Sequence, residues 1–211
     1  MKKALVVGGT GLVGKQLIEL LLADDRYTVV ALVRKPLPII NKKLTTILFD
    51  FDNPVKTLVV ADEIYCCLGT TIKTAGSKPA FYKVDYEYVL MIARAGYDNG
   101  VRKFALVSSM GANKYSGIFY NKTKGAIEEA VTNTGYENIF IFRPSILLGK
   151  RSEFRLGEMI GKFLMTSLAF ALPKKYQPIE ARQVASAMID TMNSGKAGLH
   201  ILESDNIAAI K

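Results

Sequence analysis

The feature that most constrains this chain is a glycine-rich turn between a short apolar run and an amphipathic segment. Residues 4–7 are too few for a helix and rich in valine, whereas residues 15–22 have helical periodicity. The glycines fit G-x-G-x-x-G when read from Gly9 and G-x-x-G-x-x-G when read from Gly8. A strand, a tight turn and a helix in this order predict a dinucleotide site, because the pyrophosphate sits at the helix N-terminus. A side chain at Gly11 would occupy the place of the phosphate.

Length and composition are those of a soluble α/β domain. The chain has 211 residues, 49% apolar and 22% charged, and we expect residues 1–211 to form a single NAD(P)-binding domain. The formal net charge of +9 is spread in small groups rather than gathered in a tail or along one helix. Neither a nucleic acid nor a membrane surface is therefore an expected partner. The apolar stretch at 163–172 has about half the length needed to span a bilayer.

The cysteines and the single histidine predict neither a disulfide nor a metal centre. Cys66 and Cys67 are adjacent, so an ordinary structural disulfide is not expected and a reducing compartment fits. His200 lies in the last predicted strand and is expected to be structural, and the sequence shows no cluster of metal ligands. The apolar run at the N-terminus breaks into glycines after four residues, unlike a signal peptide. We therefore expect a cytoplasmic protein.

Short apolar runs alternate with helical periodicity along most of the chain. This alternation predicts an α/β fold, a doubly wound, Rossmann-like parallel sheet with helices on both faces. The predicted strands are residues 4–7, 27–33, 44–49, 63–68, 104–107, 138–142 and 199–202. The predicted helices are residues 15–22, 55–61, 82–97, 119–131, 158–170 and 181–192. The alternation fails between 145 and 180, and we expect this segment to form a small substrate lid over the binding edge of the sheet.

Charged residues at the ends of the second and third strands bear on the choice of cofactor. About 20 residues past the glycine turn, an acid would hold the ribose hydroxyls of NAD, whereas a base accommodates the 2′-phosphate of NADP. Arg34 lies 20 residues after Gly14 without a competing acid, which favours NADP(H) over NAD(H). The alternative is that Arg34 is only a solvated base at a strand end. Asp50 could reach an adenine amino group, and equally it could be a turn or helix-cap residue, like Asp52.

A serine, a tyrosine and a lysine converge on the same predicted edge. Ser108 and Ser109 follow the fifth strand, and Tyr120 and Lys124 are four residues apart on one helical face. A phenol is a useful acid or base near neutral pH only if its pKa falls well below about 10, and a neighbouring ammonium lowers it. Tyr120 could then supply or remove the proton of a substrate oxygen held by a serine hydroxyl. Hydride would pass between the substrate carbon and a nicotinamide cofactor.

Five segments of the chain resemble atypical short-chain dehydrogenases/reductases, over nearly its whole length. They are residues 8–14, 67–76, 107–112, 120–125 and 142–149. The resemblance is nearest to the NADPH-binding oxidoreductase family that includes the human Tat-interacting protein. It implies a catalytic triad of Ser108, Tyr120 and Lys124, with Ser109 as the less favoured serine.

The same resemblance implies a set of cofactor contacts. It places the phosphates against Gly8, Thr10, Gly11, Leu12 and Val13. It places the 2′-phosphate at Arg34, and the adenosine side against Leu68, Gly69 and Thr70. Lys124 would contact the nicotinamide ribose, and the nicotinamide end would lie near Arg143, Pro144 and Ser145.

Two functions from different classes fit these residues. The first is an NADP(H)-dependent oxidoreductase acting on a small or medium apolar carbonyl or alcohol, with lid walls from Phe154, Leu156, Met159, Ile160 and Phe163. The second is an NADP(H)-binding regulatory protein with little or no turnover. We expect the chain to lack the long N-terminal extension with which some relatives bind partners, so the resemblance carries no protein partner over. The fold allows a homodimer through surface helices, which the sequence does not decide.

Overall fold

A seven-stranded parallel sheet forms the centre of the computed structural model, which describes residues 1–149 and 173–210. The strands are β1 Lys2–Val7, β2 Tyr27–Val33, β3 Leu44–Leu48, β4 Glu63–Cys66, β5 Lys103–Val107, β6 Asn138–Arg143, β7 Leu147–Leu148, β8 Ile179–Glu180 and β9 Gly198–Glu203. The order across the large sheet is β3-β2-β1-β4-β5-β6-β9. The order reverses between β1 and β4, where open α/β sheets bind ligands at the carboxyl ends of their strands.

Helices cover both faces of this sheet. They are α1 Leu12–Ala23, α2 Ile72–Ala75, α3 Lys78–Tyr82, α4 Tyr88–Asp98, α5 Phe119–Thr132, α6 Ala181–Asn193 and α7 Ser204–Ala209. Successive residues of a strand point to opposite faces. In β1, Ala4 and Val6 join the core formed with α1 and α6, whereas Leu5 and Val7 join the core formed with α4 and α5. Because both faces are buried, the strands read as continuous apolar runs. The predicted doubly wound Rossmann-like fold is confirmed.

The long helix predicted at 82–97 differs most from the observed structure. Helical backbone begins at Lys78, because Ser77 accepts a hydrogen bond from the N–H of Ala80 at 3.2 Å and caps α3. Between α3 and α4 lies one π-helical segment, Lys83–Glu87. A sequence pattern of period 3.6 does not reveal this local widening.

Smaller differences occur at two other helices. The helix predicted at 55–61 is only a 3₁₀ turn, Lys56–Leu58. The Asn99 side chain donates hydrogen bonds to the carbonyls of Lys56 and of Val59, which follows the turn. Valines on both sides of that turn have low helix propensity. The predicted C-terminal tail contains the helix α7 instead.

The expected lid segment lies partly outside the residues that the structure describes. Its described ends meet in a small two-stranded parallel sheet, in which Leu147 pairs with Ile179 and Leu148 with Glu180. The helix predicted at 158–170 and the proposed lid walls Phe154, Leu156, Met159, Ile160 and Phe163 lie outside the described residues.

Candidate active site

A cleft of about 510 Å³ opens at the carboxyl ends of the central strands; we call it the edge cleft. Seven of the residues predicted to bind a cofactor line it: Gly8, Thr10, Gly11, Arg34, Leu68, Gly69 and Thr70. Sequence reasoning missed several others, including Phe51, Thr74, Lys83 and Tyr88. Lys83 and Tyr88 come from the helical stretch between β4 and β5, so only the folded chain brings them to the cleft, whereas Phe51 lies in the loop that follows β3.

The glycine turn is packed too tightly for side chains. Gly8 has φ +83°, and a Cβ there would lie 2.4 Å from the Cys67 carbonyl oxygen. The N–H of Gly11 donates to the Gly8 carbonyl at 3.0 Å and closes the turn. A Cβ on Gly14 would lie 2.3 Å from the same carbonyl oxygen, so α1 begins directly against the turn. The glycine spacing in the sequence therefore reflects close approach of backbone to backbone.

The first turn of α1 is built to receive an anion. Gly11 is the N-cap, no side chain caps the helix, and no acidic residue lies in the first turn. The N–H groups at a helix start carry partial positive charge and attract phosphate oxygens. Leu12 and Val13 supply two of these backbone groups, and the Val13 side chain is buried beneath them. The pyrophosphate of a nicotinamide dinucleotide fits this uncapped, glycine-lined helix start.

The two charged residues predicted for the adenosine side have different surroundings. Arg34 directly follows β2, is exposed and lines the edge cleft. Asp50 is not among the residues that line it. Its carboxylate accepts hydrogen bonds from the Asp52 N–H at 2.8 Å and from Asn53 Nδ2 at 3.0 Å. This geometry is that of a turn residue, the second of the two roles considered for Asp50.

Lys124 lies beside the loop that follows β4. Its Nζ is 2.7 Å from Asp85 Oδ1, and both side chains are buried, with 5% and 0% exposed. The other carboxylate oxygen of Asp85 accepts a hydrogen bond from the Thr70 N–H at 2.8 Å. Burial raises the pKa of Asp85. Burial lowers the pKa of Lys124 but the Asp85 carboxylate raises it, and the net direction is upward, so this lysine stays an ammonium.

Tyr120 lies in the first turn of α5, one helical turn before Lys124. Its ring packs against Phe81, with ring centroids 5.3 Å apart, and its side chain is half-buried. The phenol thus stands near an ammonium that is fixed by a second charged group. This is an arrangement in which a tyrosine can exchange a proton with a bound molecule.

The two serines after β5 have different environments. Ser108 is only 6% exposed and donates a hydrogen bond to the carboxylate of Glu128. Ser109 is partly exposed, and its Oγ lies 3.4 Å from the neighbouring Met110 carbonyl oxygen. The hydroxyl of Ser108 is therefore already used inside the protein, whereas that of Ser109 has one long contact.

Residues 143–145 are held by protein groups in the structure. The Arg143 Nε donates to Glu128 Oε1 and Oε2 at 3.0 and 3.2 Å. The Pro144 carbonyl accepts from the Met110 N–H at 3.0 Å. The Ser145 hydroxyl donates to the Gln177 carbonyl at 2.5 Å, and its N–H donates to Ser204 Oγ at 2.7 Å. None of these residues lines the edge cleft.

The part of the chain that the structure describes shows neither a membrane-spanning helix nor a metal-binding cluster. Within 1–149 and 173–210, every helix is too short or too polar to cross a bilayer. The same part of the chain contains no group of three or more His, Cys, Asp or Glu side chains arranged to hold a metal ion.

Two proteins with similar sequences cover almost the whole chain. Protein FMP52, mitochondrial, of Candida albicans is 33% identical over 207 residues, which cover 92% of this chain and 89% of that protein. Protein HTATIP2 of Rattus norvegicus is 29% identical over 213 residues, covering 98% of this chain and 88% of its own.

The expected cytoplasmic location is wrong by comparison with these relatives. The fungal proteins of Candida albicans, Emericella nidulans and Eremothecium gossypii are all named mitochondrial. Two adjacent free cysteines and the early break in the N-terminal apolar run do not distinguish one reducing compartment from another.

Solved structures and a family model also match this chain. MoeE5 in complex with UDP-glucose and NAD superposes with a TM-score of 0.73 at 16% identity, covering 97% of this chain and 79% of that one. UDP-glucose 4-epimerase of Thermotoga maritima superposes with a TM-score of 0.71 at 13% identity, covering 95% and 76%. At such identities the likeness shows the fold. The family model described as NAD(P)H-binding matches residues 8–194, and the chain belongs to this family as an atypical short-chain dehydrogenase/reductase-type Rossmann protein.

Proposed function

We propose that the protein is an NADP(H)-dependent oxidoreductase that transfers hydride between the nicotinamide and a small or medium apolar carbonyl or alcohol. The observation that carries this proposal is the placement of Tyr120 and Lys124 on one face of α5, with Lys124 reaching the Gly69–Thr70 loop of the edge cleft. The bound cofactor would supply or accept the hydride. Residues 1–211 would form one domain, with 145–180 closing over the substrate.

The roles of the protein groups follow from their chemistry. Tyr120 would give a proton to a substrate oxygen or take one from it, with the Lys124 ammonium one helical turn further along the same face of α5. A serine hydroxyl would hold the same oxygen in place. The surroundings of the two serines favour Ser109 for this role over Ser108, since Ser108 already donates to Glu128.

The preference for NADP(H) rests on the charges at the rim of the cleft. Arg34 lines the rim, as does Lys83, which pairs with Asp52 at 2.6 Å. Among residues 1–149 and 173–210, no acid lines the edge cleft, whereas an acid after the second strand would hold the ribose of NAD. A 2′-phosphate could pair with the Arg34 guanidinium in two parallel hydrogen bonds.

Titration calorimetry with NADPH and NADH, followed by NADPH consumption against aldehydes, ketones and quinones, tests this function. We expect NADPH to bind more tightly than NADH and at least one class of carbonyl to be reduced. Tyr120→Phe should lower turnover about 10²–10⁴-fold with little change in NADPH affinity. Tyr115→Phe is the matched control, because Tyr115 is 83% exposed in the loop before α5.

The outcomes separate the two functions considered for the sequence. Turnover that Tyr120→Phe abolishes and Tyr115→Phe preserves supports the enzyme. Tight NADPH binding without turnover on any compound would contradict it and support an NADP(H)-binding regulatory protein. Absence of binding to both dinucleotides would contradict both.

A further inference from the structure

Asp85 is a fully buried acid in the π-helical segment between α3 and α4. It follows the spacing of the apolar residues Phe81 and Val89, both also buried, so it occupies a core position of this long helix. Acids are rarely buried unless they are paired. Single π-helical turns within α-helices often occur at functional sites. A charged group at such a position calls for an explanation from its contacts.

The two carboxylate oxygens of Asp85 join two different parts of the candidate site. One oxygen lies 2.7 Å from the Lys124 ammonium on α5. The other accepts the Thr70 N–H at 2.8 Å, in the loop that lines the edge cleft. A Cβ on Gly69 would lie 3.4 Å from Asp85 Oδ1 and 3.5 Å from Lys124 Nζ, so the pair lies directly behind that loop.

Stability alone does not account for this pair. Two charges removed from water pay a desolvation cost that their attraction only partly repays, and well-packed apolar residues are often as stable. Besides Asp85, the groups whose charges act on Lys124 are Tyr120 and Cys66, and neither has a carboxylate that could replace that of Asp85. The pair therefore fixes where the ammonium lies rather than adding to the strength of the core.

We propose that Asp85 is a positioning residue: it holds the Lys124 ammonium beside Tyr120 and couples it, through the Thr70 N–H, to the loop against which the dinucleotide binds. The proposal rests on the dinucleotide site of the proposed function. It implies that replacing Asp85 by Asn affects dinucleotide binding only through Lys124, because the amide oxygen can still accept the Thr70 N–H.

A double-mutant cycle on dinucleotide affinity tests this coupling. The variants are Asp85→Asn, Lys124→Met and the double variant, and the measurement is the Kd for NADPH by calorimetry. We expect Asp85→Asn to weaken NADPH binding about tenfold, as is typical of coupling between residues in contact. In the Lys124→Met background the same substitution should cause no further loss. Glu87→Gln is the matched control, since it removes an exposed acid from the same π-helical segment and should leave the Kd unchanged.

Other results would overturn the proposal. A lower melting temperature with an unchanged Kd in Asp85→Asn would make the role purely structural. Losses that add in the double variant would show that Asp85 acts independently of Lys124. If Asp85→Asn alone does not fold, the double variant, which has no unpaired buried charge, is compared with Lys124→Met: equal Kd values support the coupling and a further loss overturns it.

This experiment also separates its own failure from that of the proposed function. The Kd is measured without substrate, so a parent protein that binds NADPH but reduces no compound contradicts the oxidoreductase and leaves the cycle fully informative. A parent protein that binds neither dinucleotide overturns both proposals.

Discussion

The Ser108 hydroxyl donates a hydrogen bond to the Glu128 carboxylate, which lies on the same helix as Tyr120 but two turns further along. Arg143 donates to the same carboxylate, so side chains from the end of β5, from α5 and from β6 meet in one largely buried cluster. The Ser108 hydroxyl therefore helps to hold the end of β5 against α5 and β6. Under the proposed function, the next hydroxyl along the chain, that of Ser109, would hold the substrate oxygen.

Alanine should affect a different property at each serine: turnover at Ser109 and stability at Ser108. We expect Ser109→Ala to lower kcat/KM about 10-fold or more with an unchanged melting temperature, because a hydrogen bond to the reacting oxygen is lost. Ser108→Ala should lower the free energy of unfolding by about 1–3 kcal/mol, because a buried carboxylate loses a donor. Steady-state kinetics and urea unfolding of both variants measure these effects. A selective loss of turnover in Ser108→Ala would restore the assignment made from the family resemblance.

Arg34→Asp should change the preference between the two cofactors. A carboxylate at this position repels the 2′-phosphate and can accept hydrogen bonds from the ribose hydroxyls of NADH. We expect NADPH affinity to fall about tenfold or more while NADH affinity falls less or rises, since hydrogen bonds to charged groups are worth about 1.5–3 kcal/mol. Calorimetry with both dinucleotides measures the ratio.

The control for this change is an arginine at the opposite edge of the sheet. Arg102 precedes β5 at the amino ends of the strands and is exposed, so Arg102→Asp makes the same charge change far from the edge cleft. It should leave the ratio of the two affinities unaltered. If Arg34→Asp lowered the affinities for NADPH and NADH equally, Arg34 would attract both dinucleotides through its charge and would not recognise the 2′-phosphate.

Cys66 should be unreactive in the folded protein and should make stability depend on pH. Burial raises the pKa of its thiol to about 12. Between the ordinary thiol pKa of about 8.5 and this value, the unfolded chain loses a proton that the folded chain keeps, so the free energy of unfolding falls as pH rises, by about 1.4 kcal/mol per pH unit.

Alkylation by iodoacetamide and urea unfolding at increasing pH measure these two consequences. At about pH 8 the native protein should remain unlabelled at Cys66 and the urea-unfolded protein should react. In Cys66→Ala, the free energy of unfolding should fall less steeply above about pH 8.5 than in the parent. Rapid labelling of native Cys66 would show that the strand β4 opens easily.

The fold was predictable because its signals are local. Seven apolar runs and one glycine turn suffice, since each buried strand is marked along its own length. The edge cleft follows, because the chain reverses its strand order at β1 and β4. The 3₁₀ turn Lys56–Leu58 was not predictable in this way, because side-chain hydrogen bonds from Asn99, far along the chain, define it.

The buried acids of the site were missed for a related reason. The only sequence signal for Asp85 and Glu128 is that each acid lies on the apolar face of its helix. Their partners become neighbours only after folding. The choice between the serines was open to a simpler inference. Ser108 continues the alternation of Phe104 and Leu106, which face α4 and α5, so period two already places its side chain on the buried face.

Gly14→Ala decides between two opposing effects in the first turn of α1. Alanine is favoured over glycine in a helix by about 1 kcal/mol, which would stabilise the protein. The new Cβ, however, would lie 2.3 Å from the Gly8 carbonyl oxygen and 2.9 Å from Gly9 Cα, both backbone atoms that cannot rotate away. Overpacking of this kind costs about 1–3 kcal/mol or more, so we expect a net loss of stability and weaker NADPH binding, because α1 must move away from the turn.

The control is Gly117→Ala, where a Cβ meets no atom within 4 Å, and it should change neither stability nor NADPH binding. Urea unfolding and calorimetry check both variants, and a stabilised Gly14→Ala would show that α1 can leave the turn without loss.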